Sequence, residues 1–241
     1  MKLSNNKILI TGGASGIGLG LTEQFIKENN TVIICGRRES VLAKVALKFP
    51  SVITKVCDLN SESERISLFN WVSEHHSDLN VLVNNAGIQN WMNFTDETFF
   101  ERAKAEISTN IEAPIHLTSL FSNLKSLNTI LNVTSGLAYV PFVQVPVYSA
   151  TKAFFHSFTL SSRHLLKSKN IEVIEIIPPA LNTDLGGIGL HDTQPPVKEF
   201  IESVFQQLAE GKTEITFGFS SALATSNPEG IAAAFSRLNP S

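Results

Sequence analysis

A doubly wound parallel α/β sheet is the fold the sequence predicts, on three observations. Short apolar runs alternate with segments of helical period almost to the end of the chain. Those runs are continuously hydrophobic, as strands covered on both faces must be, and a glycine-rich turn joins the first run to the first helix. The first strand, Lys7–Thr11, leads into Gly12-Gly-Ala-Ser-Gly-Ile-Gly18, whose glycines permit a tight turn and a close backbone approach to an anion. A helix is expected from Gly16 to Glu28, its free N–H groups aimed at that anion. Strands follow at Thr31–Gly36, Val52–Cys57, Leu79–Asn84, Asn128–Val133, Ile171–Ile177 and Glu214–Phe219. Between them, helices are expected over Glu39–Lys48, Ser61–His75, Glu97–Leu124, Tyr148–Ser168 and Val197–Glu210. The pattern is a single-domain Rossmann-like sheet of seven mostly parallel strands with helices on both faces. No linker-like composition or repeat divides residues 1–241, so they read as one domain, with a cofactor half of about 1–125 and a catalytic and substrate-loop half of about 126–241.

Composition excludes several classes of function. The chain is 43% hydrophobic and 17% charged, enough to build a core without disulfides or a structural metal. Its net charge of −3 offers no basic face to nucleic acid. Cys35 and Cys57 lie in apolar strand-like runs, which points to free thiols and a cytoplasmic setting. The apolar stretch before Gly12 is too short for an export signal. Between Lys125 and Lys152 lie 26 residues without a charge, but Gly136, Pro141 and Pro146 break them into a buried strand and a pocket wall rather than a membrane span. No histidine is spaced from a carboxylate or cysteine as zinc requires, so no metal is expected.

The cofactor half points to a dinucleotide. Gly12, Ser15, Gly16, Ile17 and Gly18 form the phosphate turn, although the spacing departs from the common Gly-x-Gly-x-x-Gly. At the end of the second strand, where NAD-preferring folds often carry an acid for the ribose 2′-OH, stand Arg37 and Arg38. Two guanidinium groups favour a 2′-phosphate, so NADP(H) is preferred and NAD(H) possible; an exposed basic turn would use the same residues. Asp58 can accept from the adenine amino group with Leu59 lining the ring slot, while capping the next helix is an equal use for Asp58 or Ser61.

In the second half, Tyr148 has a lysine four residues on, which places phenol and ammonium on one helical face. A phenol titrates near ~10 and a useful proton donor nearer ~7; a cation at about 4 Å supplies up to roughly 3 pKa units in the required direction. Ser135 follows the fifth strand and faces the same cleft.

The ordered set Thr11-Gly-x-x-x-Gly-x-Gly18, Asn84-Asn-Ala-Gly87, Asn110, Ser135 and Tyr148-x-x-x-Lys152 resembles the classical short-chain dehydrogenase/reductase family over essentially the whole chain. The resemblance implies that Tyr148 is the general acid/base and Lys152 binds the nicotinamide ribose. It implies also that Ser135 orients the carbonyl, that Asn110 holds a water, and that Asn85, Ala86 and Gly87 border the adenosine. Pro178 and Thr183 match the family's Pro-Gly and nicotinamide-contacting Thr, but Pro179 replaces the glycine. Within the family the chain is similar to bacterial enzymes encoded alongside teichoic-acid D-alanylation genes, a likeness that says little about substrate.

Trp91, Leu137, Phe142, Val145, Pro179 and Leu185 fall on the loops after the fourth, fifth and sixth strands and suggest an apolar pocket, although loop packing would use the same aromatics. No Arg or Lys lies between Ser126 and Thr151, which favours a neutral ketone or aldehyde over an anion. The reading is an oxidoreductase moving hydride between NADP(H) and a carbonyl/alcohol substrate, without nucleic-acid or membrane partners. A catalytically silent nucleotide-sensing or scaffold protein is the alternative, and a nucleotide-sugar epimerase or dehydratase ranks behind both. By the same resemblance, the helices at 97–124 and 148–168 pair across a two-fold axis to give a homodimer or homotetramer.

Overall fold

Residues 1–240 are described by a computed structural model. Seven strands, β1 (Lys7–Thr11), β2 (Thr31–Gly36), β3 (Ile53–Val56), β4 (Val81–Asn84), β5 (Thr129–Val133), β6 (Glu172–Ile177) and β7 (Glu214–Thr216), form one sheet in the order β3-β2-β1-β4-β5-β6-β7. Every neighbouring pair is parallel. The chain reverses direction across the sheet between β1 and β4, so the crevice beyond their carboxyl ends is the binding position of such a fold.

Burial explains why the strands read as unbroken apolar runs. Ile8 and Ile10 of β1 pack on one face with Phe25 of α1 (Gly16–Lys27) and Leu42 of α2 (Glu39–Lys48), while Leu9 packs on the other with Leu68 of α3 (Glu62–His75). Ser61 caps α3, accepting from the Glu64 N–H at 3.3 Å, while the Glu64 carboxylate accepts from the Asp58 N–H.

The single helix expected over 97–124 is instead α4 (Phe99–Ile107), a π-helical turn (Ser108–Glu112) and α5 (Ala113–Phe121). That wide turn carries Asn110, and such irregularities concentrate at functional sites. The long helix of the second half, α6, spans Pro146–Leu165, and α7 spans Val197–Ala209. The seventh strand ends at Thr216 rather than Phe219, because Gly218, at φ +54°, turns the chain into α8 (Phe219–Ala224). A last helix, α9 (Pro228–Leu238), opens on Asn227, whose side chain accepts from the Gly230 N–H at 2.9 Å, followed by Pro at the first helical position.

Candidate active site

The phosphate turn is built for close approach. Gly12 has φ +65°, and a Cβ on Gly18 would sit 2.2 Å from the Gly12 carbonyl oxygen, so neither position tolerates a side chain. Ser15 makes no capping hydrogen bond and no acid occupies the first turn of α1, which leaves its N–H groups to a ligand. Ile17 packs against the core beneath the turn. From the far side Thr183 reaches this turn, its methyl 3.5 Å from where a Gly16 Cβ would be.

Asn85 and Ala86 brace the turn from β4: both N–H groups donate to Thr11 Oγ1 at 3.0 Å, and Asn85 Nδ2 donates to the Thr11 carbonyl at 2.9 Å. Arg37 and Arg38 are exposed at the end of β2 and make no ion pair among the described residues. Because Ser61 caps α3, Asp58 spends only Oδ1, on the Asn60 N–H at 3.0 Å, and Leu59 is buried beside it. Phosphate turn, paired arginines and adenine slot thus lie in the order a dinucleotide requires, and the residues present fit that group.

On the chemical side, α6 and the end of β5 meet. Tyr148, Lys152 and Ser135 are all buried, and Ser135 lies close enough to the Tyr148 phenol to draw its titration down. Ser135 Oγ also accepts from the Leu137 N–H at 3.1 Å, and the Gly136 N–H donates to the Pro178 carbonyl at 2.9 Å, tying the β5 and β6 loops together. Lys152 Nζ donates to the Val133 carbonyl at 2.9 Å and lies 5.5 Å from the Tyr148 ring centre. Asn110 brackets Ile88, accepting from its N–H and donating to its carbonyl, both at 2.9 Å, and donates also to Thr151 Oγ1 at 3.1 Å. Gly87 keeps this corner open: a Cβ there would be 3.4 Å from Asn110 Oδ1 and 3.7 Å from Lys152 Nζ.

Burial governs the titration of the groups in the site. It pushes the Tyr148 phenol up, Ser135 beside it draws it down, and the charge of Glu106 pushes it up again. The largest cause of the rise is the cost of placing a phenolate where little water reaches. Burial also brings Lys152 down from 10.5 to about 8.

Around the cleft, Trp91 and Phe142 meet edge-to-face at 5.5 Å, while Leu137, Pro179 and Leu185 are partly exposed. Val145 does not join them: it is fully enclosed, because the residues from Phe142 turn it under α6, its N–H donating to the Phe142 carbonyl. Two features escaped the sequence reading. Glu106, one turn before Asn110, is fully buried, with Oε1 accepting from the Asn90 N–H at 2.5 Å and Nδ2 at 2.9 Å. Glu175, also fully buried in β6, accepts from His156 Nδ1 at 2.8 and 3.0 Å and from Thr134 Oγ1 at 2.7 Å. The four-residue spacings Glu106/Asn110 and Lys152/His156 were the available signal for both.

Among the described residues no cluster of His, Cys, Asp or Glu could hold a metal ion, and no helix is long and apolar enough to cross a membrane.

A parallel sheet switching direction over a glycine-rich phosphate turn, with a buried Ser-Tyr-Lys group beyond its edge, defines a nicotinamide-dinucleotide oxidoreductase scaffold. The model of the family described as short chain dehydrogenase matches residues 6–189, and the chain belongs to that family. It is 43% identical over 227 residues to an uncharacterized oxidoreductase, DltE, of Bacillus subtilis, covering 90% of this chain and 89% of the relative. It is 28% identical to a serine 3-dehydrogenase of Agrobacterium fabrum, covering 73% and 72% of the two chains. Among solved structures, a Burkholderia cenocepacia short chain dehydrogenase in complex with NADP superimposes with TM-score 0.85 at 24% identity, over 98% of this chain and 99% of that one. A Burkholderia phymatum short chain dehydrogenase/reductase in complex with NAD does so with TM-score 0.82 at 17% identity, over 93% and 92%. The chain is an NAD(P)-dependent oxidoreductase of the short-chain type.

Proposed function

We propose that the chain interconverts a carbonyl compound and its alcohol with NADP(H) in preference to NAD(H), Tyr148 being the general acid and base. The observation that carries this reading is the burial together of Tyr148, Ser135 and Lys152, with phenol and ammonium one helical turn apart on α6. A bound nicotinamide would supply or accept the hydride at the substrate carbon. In reduction Tyr148 gives its phenolic proton to the substrate oxygen, and in oxidation it takes that proton back. Ser135 Oγ holds the same oxygen. Lys152 binds the nicotinamide ribose, and Asn110, fixed to Ile88 and Thr151, holds the water that links Lys152 to solvent. Gly12, Ser15, Gly16, Ile17 and Gly18 would hold the pyrophosphate, and Pro178 and Thr183 the carboxamide. Arg37 and Arg38 would hold the 2′-phosphate, Asp58 and Leu59 the adenine, with Asn85, Ala86 and Gly87 along the adenosine.

The substrate is a neutral, fairly apolar ketone or aldehyde seated against Trp91, Leu137, Phe142, Pro179 and Leu185, and the stretch from Ser126 to Thr151 offers no Arg or Lys to an anion. The enzyme is read as cytoplasmic and as a homodimer or homotetramer. An apolar groove of ≈ 470 Å³ lined by Phe94, Ile107, Pro146 and Phe154 lies on the α4–α6 face where a second copy would dock, and a monomer in light scattering overturns that assignment.

The test of the chemistry is Tyr148→Phe. NADPH binding, followed by fluorescence, should persist while turnover on a panel of ketones and aldehydes falls by about 10²–10⁴-fold. Undiminished turnover refutes the assignment.

A further inference from the structure

We propose that Glu106 takes a hydrogen-bond donor on the substrate, a hydroxyl or an ammonium group flanking the reacting carbon. The inference rests on the oxidoreductase reading above and departs from its substrate in one respect: a single hydroxyl or cationic group flanks the reacting carbon of an otherwise apolar compound.

Glu106 and Asn110 stand one turn apart and grip the same short segment after β4. Asn110 makes two hydrogen bonds to the backbone of Ile88, and Glu106 Oε1 accepts two from Asn90. Residue 89 is thereby held between two fixed points. The second oxygen of Glu106, Oε2, is buried and has no hydrogen-bond partner, and Gln89 Oε1 is in the same condition. The other buried orphan among the described side chains, Asn84 Oδ1, belongs to the amide ladder inside the sheet, where Asn84 Nδ2 donates to Asn132 Oδ1 at 2.9 Å. Two of three orphans therefore fall on one bracket beside the catalytic asparagine.

An acceptor withdrawn from water and left unpaired costs about 1–3 kcal/mol, so an orphan on each side of this bracket marks where a donor is missing. The protein's own cation nearby does not supply it. Arg102, one turn before Glu106, donates to the Trp91 carbonyl and lies 3.6 Å from Asp96. The bracket also faces the substrate loops: a Cβ on Gly186 would meet Gln89 Oε1 at 2.8 Å and Trp91 Nε1 at 3.4 Å. Glu106 is also among the groups whose charge raises the Tyr148 phenol. An unadorned ketone leaves both acceptors unpaired, whereas a donor on the adjoining carbon pairs one of them.

The experiment measures kcat/KM with NADP⁺ for butan-2-ol, butane-2,3-diol and 3-aminobutan-2-ol, in the wild type and in Glu106→Gln. The amide keeps an acceptor for Asn90 and turns the free oxygen into a donor. In the wild type the diol or the amino alcohol should exceed butan-2-ol by tenfold or more, the preferred one telling hydroxyl from ammonium. Glu106→Gln should lower that ratio at least fivefold, mainly through KM. Equal use of all three alcohols by the wild type overturns the proposal. So does a loss in Glu106→Gln that is uniform across them, because a merely structural residue would act on each alike. If no alcohol reduces NADP⁺, the oxidoreductase reading fails first and this one with it.

Discussion

Glu175→Gln is a test of what holds the catalytic edge together. Glu175 is fully buried in β6, yet its carboxylate receives His156 Nδ1 at 2.8 and 3.0 Å and Thr134 Oγ1 at 2.7 Å. Thr134 is the neighbour of Ser135, and His156 lies one turn beyond Lys152, so this carboxylate joins the strand end to the helix. Hydrogen bonding to Glu175 raises His156 above its ordinary 6.5, against the opposing effect of burial, with the charges of Glu175 and Glu214 adding to the rise and Arg163 opposing it. A group raised on folding contributes stability that is fully present below its unfolded pKa and is lost as pH rises through its folded one. The isosteric amide removes a hydrogen bond between charged partners, of about 1.5–3 kcal/mol. In a chain of this length that corresponds to a Tm lower by roughly 3–12 °C at pH 6. Thermal unfolding of both proteins at pH 6 and pH 9 checks it, and the deficit should shrink at the higher pH. A deficit that stays constant, or grows, between pH 6 and pH 9 refutes the argument.

Two further outcomes concern the cofactor. Arg37→Asp should raise the KM for NADPH tenfold or more, the loss of one charge-assisted contact, while the KM for NADH holds or falls; a wild type that already prefers NADH removes the reasoning. Gly18→Ala places a methyl 2.2 Å from the Gly12 carbonyl and 2.5 Å from Asn85 Nδ2, so the turn must shift and overpacking costs about 1–3 kcal/mol. The chain should still fold by circular dichroism but bind NADPH at least tenfold more weakly in a fluorescence titration, and unaltered binding contradicts a tight phosphate turn at this place.

What was legible in the sequence was what repeats or what chemistry forces into one residue type. Continuous runs such as Ile8-Leu-Ile10 announce strands covered on both faces, and all three residues are fully buried. The glycines at 12, 16 and 18 and the Tyr148/Lys152 spacing placed the two halves of the site because few other residues could occupy those positions. The π turn at Ser108–Glu112 left no trace in periodicity, since one extra residue per turn displaces the apolar pattern too little to see in so short a segment. Helix α9 buries Ala234 alone, so it carries no strong stripe, and its Asn227-Pro signal was overlooked. Glu106 and Glu175 were invisible for a different reason: a carboxylate in sequence looks solvated, and only packing reveals that both are fully enclosed.

Because burial acts on acids and bases in opposite directions, it drives the ionisable groups of this site toward their uncharged forms together. Tyr148 is pushed up, Glu106 rises from 4.5 to about 7 mainly by burial, and Lys152 falls to about 8. The phenol therefore stays protonated throughout the neutral range, as the proposed proton donor in reduction must, and the groups that change charge near neutrality are Glu106 and, just above it, Lys152. If Lys152 binds ribose as a cation, kcat/KM for reduction of butan-2-one, which carries no donor for Glu106, should fall about tenfold per unit once pH exceeds about 8. Arginine stays charged over this whole range, so Lys152→Arg, though slower overall, should carry its plateau past pH 9. A limb near pH 8 that survives in Lys152→Arg would assign the titration to another group and leave the lysine without an electrostatic part in the reaction.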